Sequence, residues 1–331
     1  MFLLLYIQND STDPRYNLAL EEYVFKHLKF EEDFIMLWQN EPSVIVGKNQ
    51  NTVEEINVDY VEQHGIHVVR RSTGGGAVYH DLGNLNYTFI TKADGTGIDF
   101  RKFTQPVIRV LNSLGVPAEF NSRNDIAIRG KKFSGNAQRV YKNRVLHHGT
   151  IMFNSKLEDV HNVLKVKAEK FKSKSVKSVR SRVTNISDYL PEPITIDEFK
   201  KLLLERLFLE QDSPKREYLL TEEDQAEIRK MMEEKYANWE WNYGYSPKFN
   251  YEKTDRFDGG TLQVRLNVVK GIIEECKIYG DFFGVEDVQD VENRLKGVRY
   301  DRAAIQEALQ GVDLDPYFGG ITRDELLSCF F

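Results

Sequence analysis

The stretch Arg70-Arg71-Ser72-Thr73-Gly74-Gly75-Gly76-Ala77-Val78-Tyr79-His80-Asp81 holds two guanidinium groups, three consecutive glycines and a His-Asp pair. Glycines let a backbone take positive φ and let a ligand come close to the main chain. Successive N–H groups in such a loop form a concavity for anions. Arginine adds a planar, permanently charged fork suited to phosphate or carboxylate. The chemistry on offer is the gripping of an anion, with a nucleotide phosphate as the first candidate. The competing reading is a solvated hairpin connection, glycine-rich only for its turns. No lysine and hydroxyl close the stretch as in a P-loop, and its glycines lack the spacing of a dinucleotide-binding turn.

A second stretch, Asn124-Asp125-Ile126-Ala127-Ile128-Arg129-Gly130-Lys131-Lys132-Phe133-Ser134-Gly135-Asn136-Ala137, sets lysines on a strand close to a glycine. An ammonium there can stabilise charge building on an α-phosphate and on an attacking carboxylate. One well-aimed donor of that kind is worth roughly 3–4 kcal/mol in a transition state. The alternative is a surface hairpin with two exposed lysines. The third stretch is His147-His148-Gly149-Thr150-Ile151-Met152-Phe153. Neighbouring strand residues face opposite sides, so only one of its histidines can face the core. Their spacing to His80 and Asp81 makes no local metal motif.

These residues need a framework to hold them. Ile66-His67-Val68-Val69 leads into the glycine run and Leu85-Asn86-Tyr87-Thr88-Phe89-Ile90 follows it, which predicts strand, loop, strand. Upstream, the apolar 1–7 reads as a buried strand, and Asp13-Pro14 as the N-cap and first residue of a helix. Tyr16, Leu20, Tyr23, Val24 and His27 share one face of that helix. Strands are expected at 34–38 and 43–46, and a short helix at 58–63. Downstream, a helix is expected from 104 to 114, then strands at 125–128, 132–134, 137–141 and 145–153, with turns at Arg129-Gly130 and Lys142-Asn143. This is an α+β arrangement with helices packed on a mixed or antiparallel sheet.

The segment 165–182 is basic, with Glu169 its one acid, and reads as a mobile surface loop. Thr195 with Glu198 and Thr221 with Asp224 are capping-box starts of two helices. An aromatic connection, 239–251, precedes a β-hairpin at 261–269 and 272–279, then helices at 285–296, 301–310 and from 323 onward. The change of pattern sets the domains at 1–246 and 247–331.

Composition narrows the classes. A chain of 331 residues suggests two domains, and 41% hydrophobic residues can build a substantial core. A net charge of −6 gives no global nucleic-acid signature. Two distant cysteines, Cys276 and Cys329, argue against a disulfide framework or zinc and for a reducing cytoplasm. The apolar amino terminus is too short for a membrane span or a full signal peptide.

Taken in order, "RRSTGGGAVYHDLGNLNYTFI", "NDIAIRGKKFSGNAQR", "HHGTIMF" and "SVRSRVTNIS" make the chain resemble the lipoate–protein ligase A family, of the superfamily shared with biotin protein ligase. The resemblance implies a large mixed-sheet catalytic domain and a small C-terminal α+β accessory domain. It implies two steps: lipoate and MgATP give lipoyl-AMP and pyrophosphate, then a lysine amine of an acceptor domain attacks the mixed anhydride. Arg71 and the backbone of Gly76, Ala77, Val78 and Tyr79 would hold the adenylate. Lys132, matching the family's lysine, would bind the lipoyl carbonyl and the α-phosphate. Leu18, Gly75, His80 and His148 would line the acyl pocket, and Asp125 would assist through the metal or the adenylate.

Implied partners are the glycine-cleavage H protein and the acyltransferase subunits of 2-oxoacid dehydrogenases, with no nucleic acid and no membrane. The basic 165–182 segment would steer such acidic acceptors or serve only as a solvated loop. A lipoyl or octanoyl transferase of the same fold needs a cysteine thioester, which the positions of the two cysteines disfavour. A non-catalytic lipoate-binding protein is the remaining alternative.

Overall fold

The computed structural model describes residues 4–28, 32–95, 97–121, 124–164, 183–210, 214–243, 250–269 and 271–331. The basic segment 165–182 and the junction at 246/247 lie outside the described residues. In chain order the first elements are β1 (Leu4–Ile7), α1 (Pro14–Lys26), β2 (Asp33–Trp38), β3 (Ser43–Val46), α2 (Thr52–Glu55), α3 (Val58–Gln63), β4 (His67–Arg70), β5 (Val78–His80) and β6 (Asn84–Lys92). Then come α4 (Phe100–Ser113), β7 (Ala118–Asn121), β8 (Asp125–Ile128), β9 (Lys131–Tyr141), β10 (Arg144–Met152) and α5 (Leu157–Val163). The remainder is α6 (Ile196–Glu210), β11 (Arg216–Tyr218), α7 (Glu222–Met231), α8 (Trp239–Asn242), β12 (Tyr251–Phe257), β13 (Gly260–Val269), β14 (Ile272–Gly280), α9 (Gln289–Leu295), α10 (Arg302–Ala308), α11 (Asp315–Phe318) and α12 (Arg323–Ser328).

An eight-stranded sheet runs in the order β11-β1-β2-β6-β10-β9-β8-β7. Its first two pairings are parallel, and those from β2 onward are antiparallel. One face packs on α4 and α6 through Tyr87, Phe89, Phe103, Val107, Phe133, Phe199 and Leu203. The other face carries α1 and the candidate site. α1 starts where expected: the Asp13 side chain accepts from Arg15 N–H and Pro14 takes the first position.

Burial on α1 extends well past the expected face, to Leu18, Glu21 and Glu22. Burial alone would raise the Glu22 carboxyl, but the ammoniums of Lys235 and Lys26 and the hydrogen bonds they donate pull it down to about 2. A depressed carboxyl stabilises the fold above its unfolded value, and that stability is lost as pH falls toward 2. Glu22→Gln should therefore lower stability at neutral pH by about 3 kcal/mol, and the gap should close between pH 4.5 and 2. Urea midpoints of both proteins across that range measure it; a constant gap would refute the assignment.

Several local expectations are corrected. The two strands expected on either side of the glycine run both form, but they fall in different sheets with a short extra strand between them. β4 and β5 are the two edges of a separate three-stranded sheet, order β4-β3-β5, and β6 belongs to the large sheet. The short β5 was hidden because three residues show no alternation. The expected strands at 132–134 and 137–141 are one strand, β9, interrupted only by a bulge. α4 begins at Phe100 rather than 104, because the Asp99 side chain caps Lys102 N–H, and Pro106 sits inside the helix. The turn residues Arg129 and Lys142 do take positive φ, 50° and 52°.

Both capping boxes form. The C-terminal hairpin gains a third strand, β12, in antiparallel order β12-β13-β14, where a mere connection was expected to end. That sheet packs with α9–α12 on its own core around Leu262, Val264, Ile278, Phe318 and Phe330. The C-terminal unit touches the N-terminal part at the glycine loop, where Gly74 and Gly75 lie against Phe282 and Phe283, and at the 47–51 loop. Lys48 Nζ pairs with Asp287 at 3.0 Å, and Gly280 N–H donates to Asn49 O at 2.7 Å. Among the described residues no helix is long and apolar enough to cross a membrane.

Candidate active site

Sheet register assembles the floor of the site. Trp38 pairs with Asn86 and Asn86 with Thr150; the Thr150 hydroxyl accepts from Gly135 N–H at 3.1 Å; Gly135 pairs with Asp125. The next row is Met36, Thr88, His148 and Ala137. Residues two apart share a face, so both rows look the same way. His147 falls on the opposite face, stacked on Phe103 at 5.0 Å with Gln138 and Asn136 as hydrogen-bond partners. The expected division of the two histidines is therefore observed.

Lys132 reaches this floor through an irregularity. It lies three positions before Gly135, so plain alternation would put the two on opposite faces. Ile126 pairs with Ser134 but Ala127 pairs with Lys132, which leaves Phe133 as an extra residue. Phe133 is fully buried in the helix-covered core, and the Lys132 side chain lies over Gly135 instead. Its Nζ is 2.8 Å from Asp125 Oδ1. Lys131 is exposed.

A Cβ added at Gly135 would come within 3.0 Å of Lys132 Nζ. Gly135→Ala should therefore displace the ammonium by a few tenths of an ångström and slow any reaction it serves by about tenfold, with unchanged melting. Steady-state rates beside a thermal scan test this; an unaltered rate would place the reacting group elsewhere.

The glycine loop forms the roof. Arg71 donates from Nε to Thr73 Oγ1, from Nη1 to Ile45 O, and from Nη2 to Gly74 O and Gly76 O. The guanidinium thus shapes the loop while also lining the cavity. Arg70, the second fork offered by the sequence, is committed to structure. It donates to Gly47 O, Lys48 O, Gln50 O, Thr52 Oγ1, Trp241 O and Asn242 O. Burial pushes both guanidiniums down to about 10, so both stay charged at neutral pH.

The glycines divide the work. A Cβ on Gly74 would strike Phe282 O at 2.6 Å, and one on Gly75, whose φ is +89°, would meet the Phe283 ring at 2.9 Å. Gly76 has nothing within 4 Å on that side, so the loop opens there.

Between roof and floor is a cavity of about 110 Å³. Of the residues expected to bind ligand, Leu18, Arg71, Gly75, Gly76, Ala77, Val78, His80, Lys132 and His148 line it. Asp125 contributes through its pair with Lys132. The Tyr79 side chain packs among Val44, Val46 and Val61 and donates to Asp159 at 3.4 Å, which leaves only its main chain for a ligand.

Several lining or supporting residues were not foreseen, Trp38, Ile45, Asn86, Thr88, Glu21 and Asn40 among them. Trp38 Nε1–H donates to Thr88 Oγ1, whose hydroxyl donates to Glu21 Oε1. His148 Nδ1–H donates to the same carboxylate at 2.8 Å, and its Nε2 faces the Thr73 hydroxyl at 2.9 Å. His80 is 3% exposed; burial, with Arg71 and His148 adding to it, pushes it down to about 3, so its ring is neutral. Among the described residues no group of three or more His, Cys, Asp or Glu side chains could hold a metal.

The profile described as "Lipoyl protein ligase A/B catalytic domain" matches residues 13–208, and "Bacterial lipoate protein ligase C-terminus" matches 246–330. The chain belongs to the lipoate–protein ligase family. It is 52% identical to lipoate-protein ligase LplJ of Bacillus subtilis, over 99% of this chain and 100% of that protein. It is also 52% identical to lipoate–protein ligase 1 of Staphylococcus aureus, over 96% and 97%. P. falciparum LipL1, crystallised with lipoate, superposes with a TM-score of 0.77 at 27% identity, covering 95% of each chain. A lipoate-protein ligase A bound with ATP gives a TM-score of 0.65 at 30% identity over 74% of this chain and 99% of that one.

In this lipoate–protein ligase, Trp38, Thr88, Glu21 and Asn86 escaped sequence reading for one reason. Each meets its partner across strands or from α1, at separations that local patterns do not encode. The only usable signal was Asn86 and Thr88 alternating in the strand after the glycine loop.

Proposed function

We propose that this chain activates lipoate with ATP to lipoyl-AMP and pyrophosphate, then passes the lipoyl group to a lysine ε-amine of a lipoyl acceptor domain. The observation that carries the reading is that the Lys132 side chain and the open edge of the glycine loop line one cavity with an apolar end. Leu18, Trp38 and Ile45 offer the slot for the acyl tail, worth roughly 0.8 kcal/mol per buried methylene.

In the first step the lipoate carboxylate attacks the α-phosphorus and pyrophosphate leaves. Lys132 sits where negative charge accumulates between the two reactants, and Arg71 holds the loop whose N–H groups face the phosphate. In the second step the acceptor amine attacks the lipoyl carbonyl and AMP leaves. Proximity and charge stabilisation suffice, and no protein nucleophile is required. The adenylate contacts are assigned to Arg71, Gly76, Ala77, Val78, Tyr79 main chain and Lys132, and the lipoate contacts to Leu18, Arg71, Gly75, His80, Lys132 and His148. Mg²⁺ would come with the ATP phosphates, whose charge it neutralises, and Asp125 is the carboxylate assigned to it.

The acceptors proposed are the glycine-cleavage H protein and the acyltransferase subunits of 2-oxoacid dehydrogenases, met in the cytoplasm, with 165–182 steering acidic partners. The catalytic and accessory domains are assigned to 1–246 and 247–331. A cysteine relay is disfavoured: Cys276 and Cys329 are buried in the C-terminal core, and burial raises both thiols, Cys329 to about 11. The test is lipoate-dependent pyrophosphate release by the purified protein with MgATP, followed by mass gain on each acceptor. Absence of release would leave a lipoate-binding protein.

A further inference from the structure

Two residues lining the cavity carry a buried donor with no hydrogen-bond partner among the described residues, Asn86 Nδ2 and His80 Nε2, and the direction of the second is fixed by a chain of side-chain amides. Ser11 N–H donates to Asn9 Oδ1 at 3.1 Å, so the Asn9 amide nitrogen points onward and donates to Asn17 Oδ1 at 2.7 Å. Asn17 Nδ2 shares its two protons among three acceptors, the backbone carbonyls Ser11 O and Gln39 O and Asn40 Oδ1 at 2.8 Å. A main-chain N–H can only donate and a carbonyl can only accept, so neither amide can be turned over. Asn40 must then present its Nδ2 to His80 Nδ1, at 3.0 Å. His80 Nδ1 accepts, and in a neutral ring the proton sits on Nε2.

That Nε2–H has no hydrogen-bond partner among the described residues, although His80 is 3% exposed and lines the cavity. A buried donor left bare costs about 1–3 kcal/mol, and native structures avoid it unless something fills the place.

Position says what fills it. Lys132 lies over Gly135 on β9, and Trp38 lies three strands away on β2 along the same row. Three strand spacings span about 14 Å. His80 stands at the Trp38 end, ring to ring at 6.3 Å. A carboxylate held at Lys132 would therefore put the far end of an eight-carbon acid beside His80. In lipoate that end carries two sulfurs with lone pairs; in a plain fatty acid it carries only C–H.

We propose that His80 Nε2–H donates to a dithiolane sulfur of lipoate, and that Asn40, set by Asn17, is the positioning residue that keeps the proton on that nitrogen. The inference rests on the ligase reading above and adds to it a basis for selecting lipoate over acids without sulfur. A bound alkyl chain leaves the donor bare, whereas a sulfur satisfies it.

The test compares lipoate with its carbocyclic analogue, in which methylenes replace both sulfurs. Pyrophosphate release should show a kcat/KM about tenfold higher for lipoate, carried by KM, with the KM for ATP the same for both acids. Histidine-labelled protein should show His80 as the Nε2–H tautomer in a ¹⁵N-correlated spectrum. That resonance should move when lipoate binds and stay when the carbocycle binds. Asn40→Leu should lose the fixed tautomer and most of the preference together.

Equal kcat/KM for the two acids in the wild type would overturn the proposal, as would an Asn40→Leu protein that keeps both tautomer and preference. If Asn40→Leu does not fold, the wild-type spectrum decides alone. Failure of pyrophosphate release with every acid would instead sink the ligase reading.

Discussion

Lys132→Ala should lower lipoate-dependent pyrophosphate release by about 10²–10³-fold while leaving the melting temperature within error of wild type. The two halves of that result come from different properties of one side chain. Its 41% exposure and its pairing with Asp125 at the rim make it a minor contributor to stability, since partly solvated ion pairs are worth under about 1 kcal/mol. Its ammonium is nevertheless aimed across Gly135 into the cavity, where no water shell would replace it once a reacting carboxylate and phosphate are seated. Isotope-labelled pyrophosphate exchange, with and without lipoate, separates adenylation from later transfer. A normal exchange rate in Lys132→Ala would exclude the role given to this residue.

Arg71→Met should do the reverse in emphasis and unfold the site from behind. The Arg71 guanidinium donates four hydrogen bonds to Thr73, Ile45, Gly74 and Gly76 and is buried. Methionine fills much of the volume but strands three backbone carbonyls and the Thr73 hydroxyl. Losing charged donors to buried acceptors is expected to cost about 3–5 kcal/mol, or roughly 10 °C of melting temperature for the catalytic part. Because Thr73 also faces His148 Nε2, the damage should spread to the Glu21–His148 pair. Arg71→Lys keeps the charge but not the fork, and should recover only part of the stability. Differential scanning calorimetry of the three proteins measures this. A melting temperature unchanged in Arg71→Met would show that the loop holds its shape without the guanidinium.

What could be read from the chain alone was whatever is written locally. The Asp13-Pro14 start, the Thr221 and Asp224 box, the Arg129-Gly130 and Lys142-Asn143 turns and the strand at 43–46 depend on neighbours within four residues, and all appear. The glycine loop and the lysine beside a glycine were visible as chemistry for the same reason. What two guanidiniums do was not visible. A buried arginine that organises a loop and an arginine that binds a phosphate look alike until their acceptors are known, and Arg70 has six within the protein.

Glu21, Trp38 and Asn40 belong to the site through register and through α1, across separations of forty residues and more for His80 with Asn40 and His148 with Glu21. β12 was missed because its interior, Glu252 to Arg256, is wholly polar, with aromatic rings only at its two ends, Tyr251 and Phe257.

The bulge at Phe133 bears on how such enzymes are compared. The ammonium shares a face with Gly135 because one residue is not counted by the pleat. A lysine only two positions ahead of the glycine, in a regular strand, would aim the same group at the same place. Searches that demand a fixed three-residue spacing would pass over such a protein, although it performs the same task. Conversely, a chain that keeps the spacing but lacks the irregular strand would match the pattern while turning its lysine away.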